Sequence, residues 1–303
     1  MSILRVESVV YGVEDLDLSN RFLNDWGLEK IESGKNGAVY TTPENQPIVV
    51  RHVDDPDLPP AIERGSTARE IIWGVDNPVA LDAIASELSN DRDITIDDDG
   101  TCHTVDESGF SIAFRVSNLT PIDVPESSFN LHDRVGRLNR HSWPEVDAKP
   151  APLRLGHVVL SIPSEGNWEA ARFYIERLGF RVTDRMTNAG TFMQCDGSTF
   201  HHCILLYHRG NHRRWNHLAF EVADFDALMG SGNYILKKGW ETTSGPGRHS
   251  LGSNWFWYFR CPLGGEIEFF TDMDRMDADW EPRTWEESPP YARWMLGDGL
   301  VST

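Results

Sequence analysis

An α+β fold written twice is what this sequence predicts, on three observations. Apolar segments RVESVVYGV, REIIWGV and FSIAFRV in the first half recur as RLGHVVLSI, WNHLAFEV and GGEIEFF in the second, and all read as β-strands. Around them each half reads strand, helix and three strands, then the same again. The 303 residues, 40% apolar and including 11 tryptophans, can supply a core for each half.

In the first half VESVVYGV leads into a helix at LSNRFLNDWGL, and REIIWGV into one at VALDAIASELS. In the second, LRLGHVVLSI is followed by NWEAARFYIERLGF. Trp168, Ala171, Phe173 and Ile175 mix there at helical spacing, and Gly179 is the stop signal. RVTDRMT, GTFMQCD and FHHCILLYH read as short strands separated by Asn-Ala-Gly and Asp-Gly turns. The last unit starts at RRWNHLAFEV, passes through the helix FDALMGSGNYILKKG and ends in WETTSG, SNWFWYFRC and GEIEFFTD. Pro121, Pro125, Pro144, Pro150 and Pro152, with little apolar periodicity around them, mark a connector. The expected organisation is a first domain over 1–120, a linker over 121–152, a second domain over 153–273 and a tail over 274–303. Trp280, Trp285, Tyr291 and Trp294 suit a tail that packs on the body or caps a pocket.

Composition excludes several classes. A formal charge of −19 argues against nucleic acid, whose phosphates are bound by Lys and Arg. No stretch approaches the roughly 20 apolar residues needed to cross a bilayer. The N-terminus, MSILRVESVVYGV, does not read as a signal peptide, so a cytoplasmic location is expected. Cys102, Cys195, Cys203 and Cys261 lack CxxC spacing and read as reduced thiols.

The chemistry concentrates in the second half. His157, His217 and Glu268 each sit in an apolar strand, and two imidazoles with one carboxylate form the set that holds Fe(II) on one face and leaves the other open. An inward carboxylate beside Ile267, Phe269 and Phe270 is costly to bury without a cation. A lone strand histidine is usually a hydrogen-bonded core residue, and His52, His103, His132 and His141 are read so. Strand-by-strand alignment puts Ser8, Glu70 and Ala113 where the second half has His157, His217 and Glu268. One half is therefore expected to carry a live site and the other a dead one.

Three further residues extend the set. His202 precedes His217 by fifteen positions, His249 closes the turn GPGRH, and Tyr258 lies nine positions further on in NWFWYF. On a strand only one of His201 and His202 can face a cavity. His202 is preferred, leaving His201 solvent-facing or structural; His208 and His212 belong to a solvated loop. In order and spacing the six residues resemble the type I extradiol ring-cleavage dioxygenases of the vicinal oxygen chelate superfamily.

That resemblance implies two tandem vicinal-oxygen-chelate domains, each a pair of βαβββ units forming a curved, open mixed sheet around a cavity. It implies His157, His217 and Glu268 as ligands to Fe(II), with Mn(II) accepted by the same set. His202 would be the acid–base group, with His249 and Tyr258 hydrogen-bonding the substrate. The substrate would be a catechol-type aromatic diol cleaved by dioxygen in aromatic-compound catabolism, and the assembly a homo-oligomer. Relatives acting on carboxylated catechols tend to carry an arginine where this chain has Ser244, which argues against such a substrate; Arg248 belongs to the turn itself, and Arg293 in the tail is another candidate for an anionic group. The aromatics Trp255, Phe256 and Trp257 suit either a hydrophobic ring substituent or strand-core packing. A glyoxalase-like isomerase or lyase, or a small-molecule-binding resistance protein, would use the same scaffold without the full set of six.

Replacing Ser8 and Glu70 together by alanine should leave metal content at one ion per chain, checked by elemental analysis of the purified protein. A second transition metal lost on that substitution would contradict a silent first half.

Overall fold

A computed structural model of the chain describes residues 2–124, 129–144 and 148–296, so Met1, Pro125 of the connector and the tail beyond 296 lie outside the described residues. The first half runs β1 (Ile3–Val13), α1 (Leu16–Trp26), β2 (Glu29–Gly34), β3 (Gly37–Thr41) and β4 (Pro47–His52). It continues with β5 (Thr67–Val75), α2 (Pro78–Leu88), β6 (Thr95–Ile96), β7 (Cys102–Val105) and β8 (Ser111–Val116). The second half repeats the order as β9 (Arg154–Ser161), α3 (Asn167–Arg172), β10 (Arg181–Met186), β11 (Gly190–Gln194) and β12 (Ile204–Tyr207). There follow β13 (Arg214–Glu221), α4 (Phe225–Lys237), β14 (Thr242–His249), β15 (Trp255–Arg260) and β16 (Glu266–Thr271). The tail adds β17 (Arg283–Trp285) and β18 (Ala292–Met295). Within 121–152 the described residues hold only an isolated bridge, Leu131 to Arg134.

Two mixed sheets result, ordered β2-β3-β4-β1-β5-β8-β7-β6 and β17-β10-β11-β12-β9-β13-β16-β15-β14-β18. In each unit the first strand pairs parallel with the last, β1 with β4, β5 with β8, β9 with β12 and β13 with β16. A helix makes each parallel return possible. The units join through antiparallel pairs, β1 with β5 and β9 with β13.

The helices begin where sequence chemistry says they should. Asp15 and Asp224 accept from the amides of Leu18 and Ala227, and Gly27 ends α1 in the left-handed region at φ 97°. One expectation needs correction. NWEAARFYIERLGF is not one α-helix: after Arg172 it widens into a π turn over Phe173–Arg177, where both Phe173 and Tyr174 are buried.

Alternation along the central strands separates core from cavity. Val158 and Leu160, Leu218 and Phe220, and Ile267 and Phe269 join the main core, which leaves the intervening residues of β9, β13 and β16 for the other face. The halves share that core. Trp26 of α1 stacks on Phe269 of β16 at 3.6 Å between ring centroids, and Gln46 holds both the amide and the carbonyl of Leu155.

Asp106 also ties the halves, accepting from the Tyr174 hydroxyl at 2.9 Å and from the amides of Ser108 and Phe110. Burial pushes its carboxyl up to about 6, against the pull of those hydrogen bonds. A raised folded-state value means that this group's contribution is full below about pH 4 and lost as pH rises through about 6. Asp106→Asn should therefore gain on the parent by up to about 3 kcal/mol between pH 4 and 7. Urea unfolding of both proteins across that range checks it, and a constant difference would refute it.

Candidate metal centre

The register of three adjacent strands builds the site. On β9 and β13, His157 lies opposite Ala219 and Val159 opposite His217; on β13 and β16, Ala219 lies opposite Glu268. His157 and Glu268 are thus aligned across the sheet, with His217 two residues away on the same face. Their ligand atoms all lie within 4.8 Å of one another, the only such group among the described residues. His157 Nε2 is 3.1 Å and His217 Nε2 3.4 Å from Glu268 Oε2. Gly156 is part of the construction: a Cβ there would lie 2.3 Å from the Phe270 ring, which packs beside His157.

The first half carries the same register with other residues. Ser8 lies opposite Ile72, Glu70 opposite Val10, and Ile72 opposite Ala113. Ser8, Glu70 and Ala113 therefore occupy the positions of His157, His217 and Glu268. Ser8 donates to the carbonyl of Pro47, and Glu70 lies 2.9 Å from His103 Nδ1. His103, read from sequence as belonging to no constellation, in fact lies between Glu70 and Asp97. Its pKa is raised, first by the hydrogen bond to Glu70.

Glu268 is fully buried and His157 and His217 nearly so. Burial alone would push Glu268 up, but the imidazoles of His157 and then His217 hold it well below the usual carboxylate range. Burial lowers His157, which keeps it in the neutral form that binds metals. Among the described residues, Glu268 Oε2 and His217 Nε2 are buried without a hydrogen-bond partner. His217 Nδ1 faces Asn216 Oδ1 at 2.9 Å, which assigns its proton to Nδ1 and leaves Nε2 as a lone pair aimed at Glu268. Unpartnered donor atoms converging from a neutral imidazole and a carboxylate fit a divalent cation. His157 Nδ1 fits less well, because it too is buried without a partner.

A cavity of about 360 Å³ opens beside this group. His202, His249 and Tyr258 line it together with His157 and His217. His249 Nδ1 lies 3.1 Å from the carbonyl of Tyr291 and must donate to it, so Nε2 accepts from the Tyr258 hydroxyl at 3.1 Å. Burial pushes His249 down to about 4. His202 is driven well below its ordinary value by burial first, then by the neighbouring imidazoles. Burial and then Glu268 raise Tyr258. Three polar groups that are uncharged near neutral pH therefore face the triad.

Several sequence expectations change here. His201 and His202 precede β12 rather than lying on it, because the His201 amide bonds to the carbonyl of Asp274 instead of a neighbouring strand. His201 is not solvent-facing: it is fully buried, 2.8 Å from Asp184 and 3.1 Å from His202. His208 is buried too, because its amide continues the pairing with Ala189. GPGRH is not a turn but the end of β14, a strand with register shifts at Ser244 and Gly247. Arg248 pairs with Asp272 and lies over Trp255, Arg293 is exposed, and neither lines the cavity. Trp255, Phe256 and Trp257 do not line it either; Phe256 stacks on His249 from the far side. The walls instead include Met186, Phe192, Leu205, Leu251, Pro289 and Pro290, apolar residues that themselves belong to no chemical motif.

Residues 154–274 match the model of the Glyoxalase/Bleomycin resistance protein/Dioxygenase superfamily. Metapyrocatechase 2 of Cupriavidus necator is 35% identical over 127 residues, 42% of this chain and 39% of that protein, so the match spans about two-fifths of its length. The fold is shared more widely. The Mn(II)-bound glyoxalase from Novosphingobium aromaticivorans superimposes with a TM-score of 0.73 at 21% identity, covering 95% of this chain and 89% of that one. The 2,3-dioxygenase LapB from Pseudomonas sp. KL28 does so with a TM-score of 0.74 at 17% identity, covering 94% and 98%. The two curved mixed sheets are those of the vicinal-oxygen-chelate fold.

Alanine at His157, His217 or Glu268 should each abolish stoichiometric metal binding, since two remaining protein donors hold a divalent ion weakly. Elemental analysis after reconstitution and desalting checks this. Any one variant that keeps a full equivalent would remove that residue from the ligand set.

Proposed function

With residues 154–274 forming a domain of the Glyoxalase/Bleomycin resistance protein/Dioxygenase superfamily, we propose that this protein is a metal-dependent extradiol dioxygenase of catechol-type diols. The observation that carries the reading is a three-residue ligand set beside a cavity that five of the six site residues line. His157, His217 and Glu268 supply the ligand atoms, and His202, His249 and Tyr258 stand around the open face. Similarity to a metapyrocatechase supports it. We assign Fe(II) to the site, with Mn(II) an alternative that the same ligands accept. The bound ion would polarise the diol and activate dioxygen.

The chain's own groups do the rest. His202, neutral when buried, accepts the proton of one diol hydroxyl and returns it later in the turnover. Tyr258 donates its proton to His249, so its oxygen lone pairs are free to accept from the diol and orient it. Among the described residues no Lys or Arg lines the cavity, and Glu266 does, so an anionic ring substituent would meet a negative side chain and no positive one. Met186, Phe192, Leu205 and Leu251 suit an uncharged, apolar ring substituent. The substrate class is therefore an alkyl- or aryl-substituted catechol without a carboxylate.

A metal-dependent isomerase is the second reading, favoured by the likeness to a solved structure named as a glyoxalase. Oxygen uptake separates the two. Protein reconstituted anaerobically with Fe(II) or Mn(II) should consume one O2 per catechol and yield a ring-opened yellow product; isomerisation of a thiohemiacetal without oxygen uptake would sink the proposal. His202→Phe should keep its metal yet lose about 10²–10⁴-fold in kcat, as removal of a general acid–base group does. Normal turnover in that variant would exclude His202 from the chemistry.

A further inference from the structure

Behind His202 lies a chain of buried polar groups with no part in the reading so far. Trp285 Nε1 donates to Asp184 Oδ1 at 2.7 Å. The other oxygen of Asp184 lies 2.8 Å from His201 Nε2, and His201 Nδ1 lies 3.1 Å from His202 Nδ1. Asp184, His201 and His202 are all at most 5% exposed, so water does not compete for these bonds. Phe192 packs against both imidazoles and Trp280 against His201.

We propose that Asp184 and His201 are positioning residues that lock His202 in one tautomer, with the proton on Nδ1 and the Nε2 lone pair turned to the cavity. The assignment follows from counting protons along the chain. The Asp184 carboxylate only accepts, so the proton between it and His201 belongs to His201 Nε2. A His201 ring that carries only that proton offers Nδ1 as a lone pair, and the proton in the Nδ1–Nδ1 contact then comes from His202. That leaves His202 Nε2 unprotonated. Packing against Phe192 and the bond to His201 together fix the ring plane.

Asparagine at position 184 inverts the chain. Trp285 Nε1 still needs an acceptor, which draws the amide oxygen to its side and turns the NH2 toward His201. His201 Nε2 must then accept, its proton moves to Nδ1, and His202 Nδ1 becomes the acceptor. His202 would now present Nε2–H to the cavity, a donor where a proton acceptor is needed. Reversing a hydrogen-bonded imidazole in this way costs about 10⁴-fold in a serine protease whose orienting aspartate is replaced by asparagine.

The proposal rests on the dioxygenase reading only for the use made of His202; the tautomer is tested without activity. Metal-free protein carrying 15N-labelled histidine is examined near neutral pH by long-range 1H–15N correlation, with His202→Phe used to assign the His202 signals. The parent should show His202 protonated at Nδ1, and Asp184→Asn should show it protonated at Nε2. In the metal-loaded enzyme the same variant should keep its metal content and its KM within a few-fold, while kcat falls at least a hundredfold. Parent protein with His202 protonated at Nε2, or an Asp184→Asn spectrum with an unchanged His202 tautomer, overturns the proposal. Should the variant not fold, the parent spectrum alone decides. Correct tautomers in a protein that consumes no oxygen with any catechol would count against the dioxygenase reading and leave this one standing.

Discussion

Glu268 is a carboxylate placed at the centre of a sheet, wholly out of water, between two apolar neighbours on its own strand. An isolated charge in such a place costs far more than any packing around it returns, so the rest of the site is an answer to that cost. Two imidazoles approach one of its oxygens, and Asn254 donates to the other at 3.2 Å. Even so, Oε2 has no oriented hydrogen bond. A divalent cation at this point satisfies the carboxylate and both imidazole lone pairs at once. The arrangement depends on register: slipping β16 by one residue would put Glu268 into the core and Ile267 or Phe269 into the cavity.

The same register in the first half shows how little separates a site from its absence. The backbone frame is kept, but with Ala113 in place of the third donor no carboxylate is buried at that point. Glu70, itself buried, then finds a proton-bearing partner in His103, whose ring is 24% exposed. What the first half retains is packing. Trp26 lies flat on Phe269, the residue that follows Glu268 and faces the opposite side of the sheet. Burying so large a ring is worth several kcal/mol, and removing it to alanine in a core typically costs about 3–5 kcal/mol. The first half thus holds from behind the strand that presents Glu268.

Much of this was legible in the sequence because period-two patterning and chemical type coincide there. His157, His217 and Glu268 each interrupt an apolar strand, and an interruption of that kind is conspicuous. The correspondence of Ser8, Glu70 and Ala113 followed from aligning strands, and pairing registers reproduce it residue by residue. What could not be read lay where backbone departs from regular periods. GPGRH has the composition of a turn, yet it continues β14 because β18 and β15 pair on either side of it. His201 reads from sequence as solvent-facing or structural, because strand alternation assigns adjacent residues to opposite faces; outside β12 that rule does not apply, and the structural alternative holds. Asp184 gave no sequence signal at all, being one acid in RVTDRMT among 47 acidic residues in the chain. Its meaning depends on Trp285, about a hundred positions away.

The tail sets the hydrogen-bonding state of the site from both edges of the sheet. β17 pairs with β10 at one edge and carries Trp285 to Asp184, which orients His201 and through it His202. β18 pairs with β14 at the other edge and brings the carbonyl of Tyr291 to His249, which decides that His249 accepts from Tyr258 rather than donating to it. Neither connection touches the ligand set. The three strands that hold the triad therefore determine where a cation can sit, whereas Asp184 of β10 and the tail's two edge contacts determine which way the protons point around it. Because burial keeps His202 and His249 uncharged near neutral pH, direction rather than charge is what distinguishes a proton acceptor from a donor there. That direction is supplied by the Asp184 carboxylate, held by a tryptophan N–H at one edge, and by a backbone carbonyl at the other.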